Sequence, residues 1–392
     1  MTTPKDPTEI LKSAYEKAYD EYNKDKGKSF LLKLNNNSRK WIEVIAKNSE
    51  KQKGVVTALI TSLTKKIESP SQDVRFHKKE LPRGYSARVF DTKYVTPFLK
   101  EKIPRVAMKE SGWLTRSIEQ MHPFTLNPPF PGKISNMDVK NAFLQILNDI
   151  EENKSDPKLY LIALFIMLIN ETSKVQDTIN SMPLINVEKD IEIDTIIYCL
   201  RLHFFANYDF VGHGASKLPV IAIHSLYQIM INEVERYKGK NLEPLMSHLS
   251  PDQRSGRVGD IEISDEKGNC FEGVEIKYNI PIDHTMIEDA YNKFKETPIK
   301  RYYLLTTAEP QIQNGEEQKI KESINRIKKE HGCEVVVNGV MQSIKYYLRL
   351  IKSPKIFLDI YTNALIDDAN TSSEIKKAHL DMWKQILDSV CK

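Results

Sequence analysis

"RVGDIEISDEKGNCFEGVEIKYN" (residues 257–279) is two apolar runs joined by a turn, with acids where a plain hairpin would carry valines. Successive side chains of a strand point to opposite faces. In "VEIKYN", Glu275 and Lys277 therefore share one face, and Val274, Ile276 and Tyr278 take the other. In "VGDIEI", Asp260 and Glu262 share a face. The intervening "SDEKGN" is rich in turn formers. If the two strands pair, Asp260 lies beside Glu275 near one end of the sheet.

Two neighbouring carboxylates repel, and each resists ionisation. A divalent cation removes the conflict. Mg2+ takes hard oxygen ligands, with one or two carboxylates completed by water and substrate phosphate. The backbone carbonyl of Ile276 supplies a further oxygen. The Lys277 ammonium, two residues past the glutamate, reaches the same place, where it can orient a water, lower its pKa or offset transition-state charge. Acid, acid, lysine and Mg2+ make a phosphodiester hydrolysis site. The plainer alternative is a cross-strand ion pair on a solvated face, worth under about 1 kcal/mol. Glu-x-Lys also occurs at Glu152/Lys154, Glu317/Lys319 and Glu374/Lys376, but with no acid on a preceding apolar strand.

The pattern Asp-x14-Glu-x-Lys on a hairpin, with one helix before it and helix and strand after it, resembles the PD-(D/E)xK nuclease superfamily. The wording "DQRSGRVGDIEI…FEGVEIKYNIPI" is similar to the type II restriction endonucleases of the SacI-like group, as are "GYSARVFDTKYVTPFLKEKIPRVAMKESGWLTRSIEQ" and "GASKLPVIAIHSLYQ". The resemblance implies that Asp260 and Glu275 bind the metal and that Lys277 is the catalytic lysine. Gly259 stands where the superfamily's nominal proline would precede the aspartate.

Outward from the hairpin, residues 220–350 alternate: helix 220–238, strands near 259–264 and 271–278, helix 284–296, strand 302–307, helix 315–330 and strand 334–338. This order predicts an α/β domain, a central mixed sheet flanked by helices, of the restriction-endonuclease-like kind. Two last helices are expected near 341–352 and 373–390. The chain of 392 residues is long for one core, so a second domain is expected. Residues 1–206 read as a mainly helical N-terminal domain and 207–392 as the catalytic domain. Within the first, 74–135 interleaves prolines, glycines, aromatics and bases, the texture of long loops joining short elements.

Composition is that of a folded protein, 40% hydrophobic and 28% charged, with a formal net charge of only +4. Any nucleic-acid contact must therefore come from a local basic surface. Cysteines 199, 270, 333 and 391 form no zinc spacing and no disulfide framework, which fits a reducing cytoplasm, bacterial or archaeal. The opening "MTTPKDPTEI" has no apolar signal core, and "LYLIALFIMLI" (159–169) reads as a buried helix, too short to span a bilayer. The chain lacks GxxxxGK[ST], which disfavours an ATP-driven translocase.

Further candidates surround the hairpin. Glu233 and Glu235, late in helix 220–238, offer an additional metal carboxylate, with Glu235 preferred; the alternative is a solvated helix face. Arg254, Arg257 and Lys217 are candidate phosphate contacts, and Glu262 either orients a metal ligand or a water from behind or is a surface acid further along the strand. The segment Arg83–Gln120 is the expected reader of bases, with Arg83, Arg88, Lys93, Lys109, Arg116, Glu110 and Trp113; simple packing is the competing explanation. These expectations describe a Mg2+-dependent nuclease acting on double-stranded DNA as a homodimer, with a cognate DNA methyltransferase as functional partner. Two alternatives stand beside it: a sequence-specific DNA-binding protein with an inactive nuclease fold, and a structure- or modification-dependent nuclease.

Overall fold

In the computed structural model, residues 6–114, 118, 120–183, 191–208, 215–245, 256–371 and 374–390 are described. The chain divides into two compact units, 1–177 and 178–392.

The first unit is helical. Its central helix, Lys53–Glu68, is buried along ten consecutive residues from Val55 to Thr64. Such all-round burial requires the threonines to satisfy themselves. Thr57, Thr61 and Thr64 each donate their hydroxyl to the carbonyl four residues back, at 2.9, 2.7 and 2.7 Å. The asparagine triplet acts as expected: Asn35 caps helix Asn36–Lys47 by accepting from the Ser38 amide at 2.9 Å. Helix Pro157–Asn180 is long and apolar enough to cross a membrane by length and composition alone, but Tyr160–Ile166 along it are buried in this unit's core. The segment 74–135 contains only short helical pieces, as its texture predicted, but it packs inward rather than hanging in solvent. Asp91 ties it down, accepting from Thr96 Oγ1 (2.7 Å), Ser111 Oγ (2.5 Å) and the Gly112 amide (3.0 Å).

The second unit holds a five-stranded mixed sheet in chain order: β1 (Lys240–Leu242), β2 (Ile261–Asp265), β3 (Cys270–Lys277), β4 (Arg301–Thr306) and β5 (Glu334–Gly339). β1–β2–β3 pair antiparallel, whereas β3–β4–β5 pair parallel. Each parallel step needs a crossover, supplied by helices His284–Phe294 and Glu317–Glu330. Ile287, Ala290 and Phe294 of the first and Ile320 and Ile327 of the second share a core with Tyr302, Leu304 and Val335 of the sheet. Helix Lys217–Glu233 lies on the opposite face, where Tyr227 meets Glu272 of β3. Helices Val340–Leu348 and Ile356–Thr371 pack against it.

Three differences from the sequence-based reading matter. Helix Ile193–Phe204, assigned to the first domain, packs in the second unit: His203 bonds Tyr361 at 2.9 Å and lies beside Trp383. Helix Ile356–Thr371 was not anticipated; its apolar residues are spread around the helix, leaving little periodic signal. Helix 220–238 ends early, at Glu233, where Val234 turns extended and a 3-10 turn, Glu235–Tyr237, follows.

Candidate active site

The hairpin 257–279 forms as its alternation predicts. Its turn is closed by Asp265, whose Oδ1 accepts from the Lys267 and Asn269 amides, both at 2.9 Å. Gly268 takes the left-handed conformation (φ 80°). Ile261 faces Val274 and Glu262 faces Gly273 across the pair. Continuing that antiparallel register one step brings Asp260 opposite Glu275. The ladder has stopped there, because Asp260 lies in a bend just before β2. Asp260 replaces the missing ladder bond with its own side chain: Oδ2 accepts from the Ile276 amide at 2.8 Å. The N–H and C=O of one strand residue leave by the same edge, so the Ile276 carbonyl faces the same open end.

Gly259 makes this approach possible. A Cβ there would lie 2.6 Å from the Val274 carbonyl oxygen, so neither alanine nor proline fits without moving the bend. A local steric reason therefore accounts for a glycine, rather than an alanine or proline, before Asp260. Glu262 supports the bend from below, accepting from the Val258 amide, and is half-buried rather than a loose surface acid. Tyr302 fixes the bend from the neighbouring strand, donating to the Val258 carbonyl at 2.8 Å and lying 3.4 Å from Glu275 Oε2.

Glu275 is buried and holds two ammonium groups. Lys277 Nζ lies 2.8 Å from Oε1, and Lys293 Nζ, from helix His284–Phe294, lies 2.9 Å from both oxygens. Burial pushes this carboxyl up, but the two lysines outweigh it and hold it below its ordinary value. Asp260 behaves in the opposite way. Removal from bulk water and then the Glu275 charge raise it, against the Ile276 amide and the two lysines. The residue is nonetheless exposed to solvent, which screens part of that penalty.

The hard-oxygen set of Asp260, Glu275 and the Ile276 carbonyl suits Mg2+, with water and phosphate as the remaining ligands. Among the described residues no group of three or more His, Cys, Asp or Glu gathers at ligand spacing. Glu235 does not join the pair. It is exposed beside Lys238, beyond the far end of a 17-residue helix that is about 25 Å long. Glu233 instead accepts from the Lys352 amide at 2.6 Å.

Lys217, at the start of that helix, lies close enough for its charge to act on Asp260, yet its side chain is largely buried and pairs with Glu374 at 3.1 Å. It faces protein rather than an incoming phosphate. Arg257 donates to the Pro244 carbonyl at 2.8 Å. In the first unit Arg83, Arg88 and Lys93 are exposed and Lys109 is half-buried. Trp113 is only 1% exposed, so the packing explanation holds for it. Arg116 and Arg254 lie outside the described residues.

Sequence reasoning missed Lys293 and Tyr302. The alternation of "RYYLLT" does put Tyr302 on the Glu275 face, whereas nothing in the text of helix 284–294 marks Lys293. Compared with models of known protein families the chain matches none, and among curated protein sequences nothing matches it.

Proposed function

We propose that the chain is a Mg2+-dependent type II restriction endonuclease with a restriction-endonuclease-like core, hydrolysing both strands of duplex DNA at a short palindromic site. The observation that carries this reading is the open end of the hairpin, where the register sets Asp260 opposite Glu275, Lys277 is bound to Glu275, and the Ile276 backbone edge lies between. A solvated cross-strand ion pair needs none of this. It explains neither a buried glutamate nor a glycine-tight bend that presents an aspartate to it.

In this reading Asp260, Glu275 and the Ile276 carbonyl hold the cation. Bound there, Mg2+ lowers the pKa of a water and offsets charge on the scissile phosphate. Tyr302 and Glu262 keep the Val258–Asp260 bend in place. Lys277 would orient the attacking water with its ammonium; the water oxygen bonds to phosphorus as one P–O ester bond breaks, a water proton is released to solvent, and the departing sugar oxygen takes up a proton from solvent. A palindrome has two-fold symmetry, so a homodimer places one such site on each strand. Arg83, Arg88 and Lys93 supply phosphate or base contacts from the first unit. A host bacterium or archaeon would protect its own DNA with a matching methyltransferase, and the enzyme would work in the cytoplasm.

Digestion of long unmethylated duplex DNA, with Mg2+ or with EDTA, tests the proposal. Discrete fragments that require Mg2+ and disappear in Lys277→Ala are expected, and sequencing their ends gives the site. Sequence-selective binding without cutting on several DNAs would instead favour a DNA-binding protein with an inactive nuclease fold.

A further inference from the structure

Lys277 and Lys293 both bind Glu275, although one carboxylate needs a single counter-charge. Counted with Asp260, the two acids and two ammoniums cancel. Lys217, whose charge also acts on Asp260, is itself paired with Glu374, so these groups balance without any cation, and a divalent ion added alone would leave an excess of positive charge. The two lysines are not equivalent. Lys277 sits on the same strand and touches only Oε1. Lys293 reaches across from a helix, touches both oxygens, and has a side chain 44% exposed against 28% for Lys277. Its ammonium therefore covers the oxygens that a cation would use, and it has the freer path away from them.

Resting on the nuclease reading, we infer that Lys293 is a stand-in for the cation, holding Glu275 in the DNA-free protein and transferring to a DNA phosphate oxygen when a divalent ion is bound. Lys293 is thus a positioning residue that couples cation loading to DNA. The phosphate brings the negative charge that lets the ammonium leave, and by linkage a cation at Glu275 favours the phosphate contact. A DNA-free molecule keeps its carboxylates aligned while binding the cation weakly.

The test measures Mn2+ binding to the DNA-free full chain, counting free ion by electron paramagnetic resonance. Lys293→Gln and, as a second neutral variant, Lys293→Met should bind Mn2+ on the order of tenfold more tightly than the unaltered protein. Lys293→Arg, which keeps the charge, should stay near the unaltered value, and adding Asp260→Ala to Lys293→Gln should abolish the gain. Circular dichroism of each variant checks that it is folded. If both neutral variants bind Mn2+ no better than the unaltered protein, while Asp260→Ala weakens that binding, the cation site stands and the role of Lys293 is wrong. If Asp260→Ala changes Mn2+ binding in no background, the nuclease reading itself fails.

Discussion

Glu272 and Glu275 belong to the same eight-residue strand, three positions apart and on opposite faces of one sheet. Glu272 is wholly buried under helix Lys217–Glu233, where Tyr227 and Tyr237 donate to Oε1 at 2.5 and 3.0 Å and Arg236 pairs with Oε2. Burial dominates its surroundings and raises its pKa. Glu275 is nearly as buried, but its partners are two partly exposed ammoniums, and the balance tips the other way. One carboxylate is closed into the packing by hydroxyls and a guanidinium. The other is held at an open strand end by groups able to let go. The difference separates an acid closed into the fold from one left at an open strand end, the one proposed above for chemistry, and burial alone does not reveal it.

The sharpest way to break this comparison is to neutralise each acid. Glu275→Gln should cut Mg2+-dependent cleavage by about 10^3-fold or more, with thermal stability little changed; retained activity in the digestion assay would remove Glu275 from the site. Glu272→Ala should do the reverse. It strands Arg236 and two tyrosine hydroxyls, so urea denaturation should show a loss of about 3 kcal/mol, with normal cleavage per folded molecule. A loss below about 1 kcal/mol would show that Glu272 is not a packing acid.

Smaller effects sharpen the picture of what holds the site. Gly259→Ala pushes a Cβ against the Val274 carbonyl, and overpacking of this kind costs about 1–3 kcal/mol. Because the strain falls on the Asp260 bend, cleavage should drop by more than the fraction unfolded explains. Tyr302→Phe removes the bond to Val258 and should lower stability by about 1 kcal/mol in the same denaturation experiment. The smallest change is expected at Arg83→Ala: DNA affinity weakened, and the slope of log affinity against log salt reduced by about 1 if the arginine meets a phosphate. An unchanged slope would take Arg83 out of the interface.

Four of the five strands were legible because they and their crossovers follow two clean periodicities, and the turn "SDEKGN" names its own geometry; β1, only three residues long, leaves no such pattern and was not read. The central trio was legible too, since Asp260, Glu275 and Lys277 are fixed by strand alternation and by one hairpin's register. What escaped depends on distances that no local pattern encodes. Lys293 meets Glu275 only because the crossover helix lies over β3. Lys217 turned inward because Glu374, far along the chain, packs beside it. Glu235 was lost to a helix that stops at Glu233, five residues sooner than its periodicity suggests. Trp113 sits in an aromatic cluster with His77 and Phe124 that composition could not distinguish from a surface reader.

The bond from Ile276 to Asp260 spans 16 residues, the clasp of Lys293 on Glu275 spans 18, and the reach of Tyr302 to Glu275 spans 27. By contrast, His203 meets Tyr361 across 158 residues in the same unit. Closing a loop of the longer kind costs about 2 kcal/mol more in chain entropy than closing one of the shorter. The open end of the sheet around Glu275 is therefore wired by short-range closures, while the framework around it depends on distant ones. The order of residues thus brings two acids, two lysines and a tyrosine together at a lower cost in chain entropy than the contacts of the framework around them.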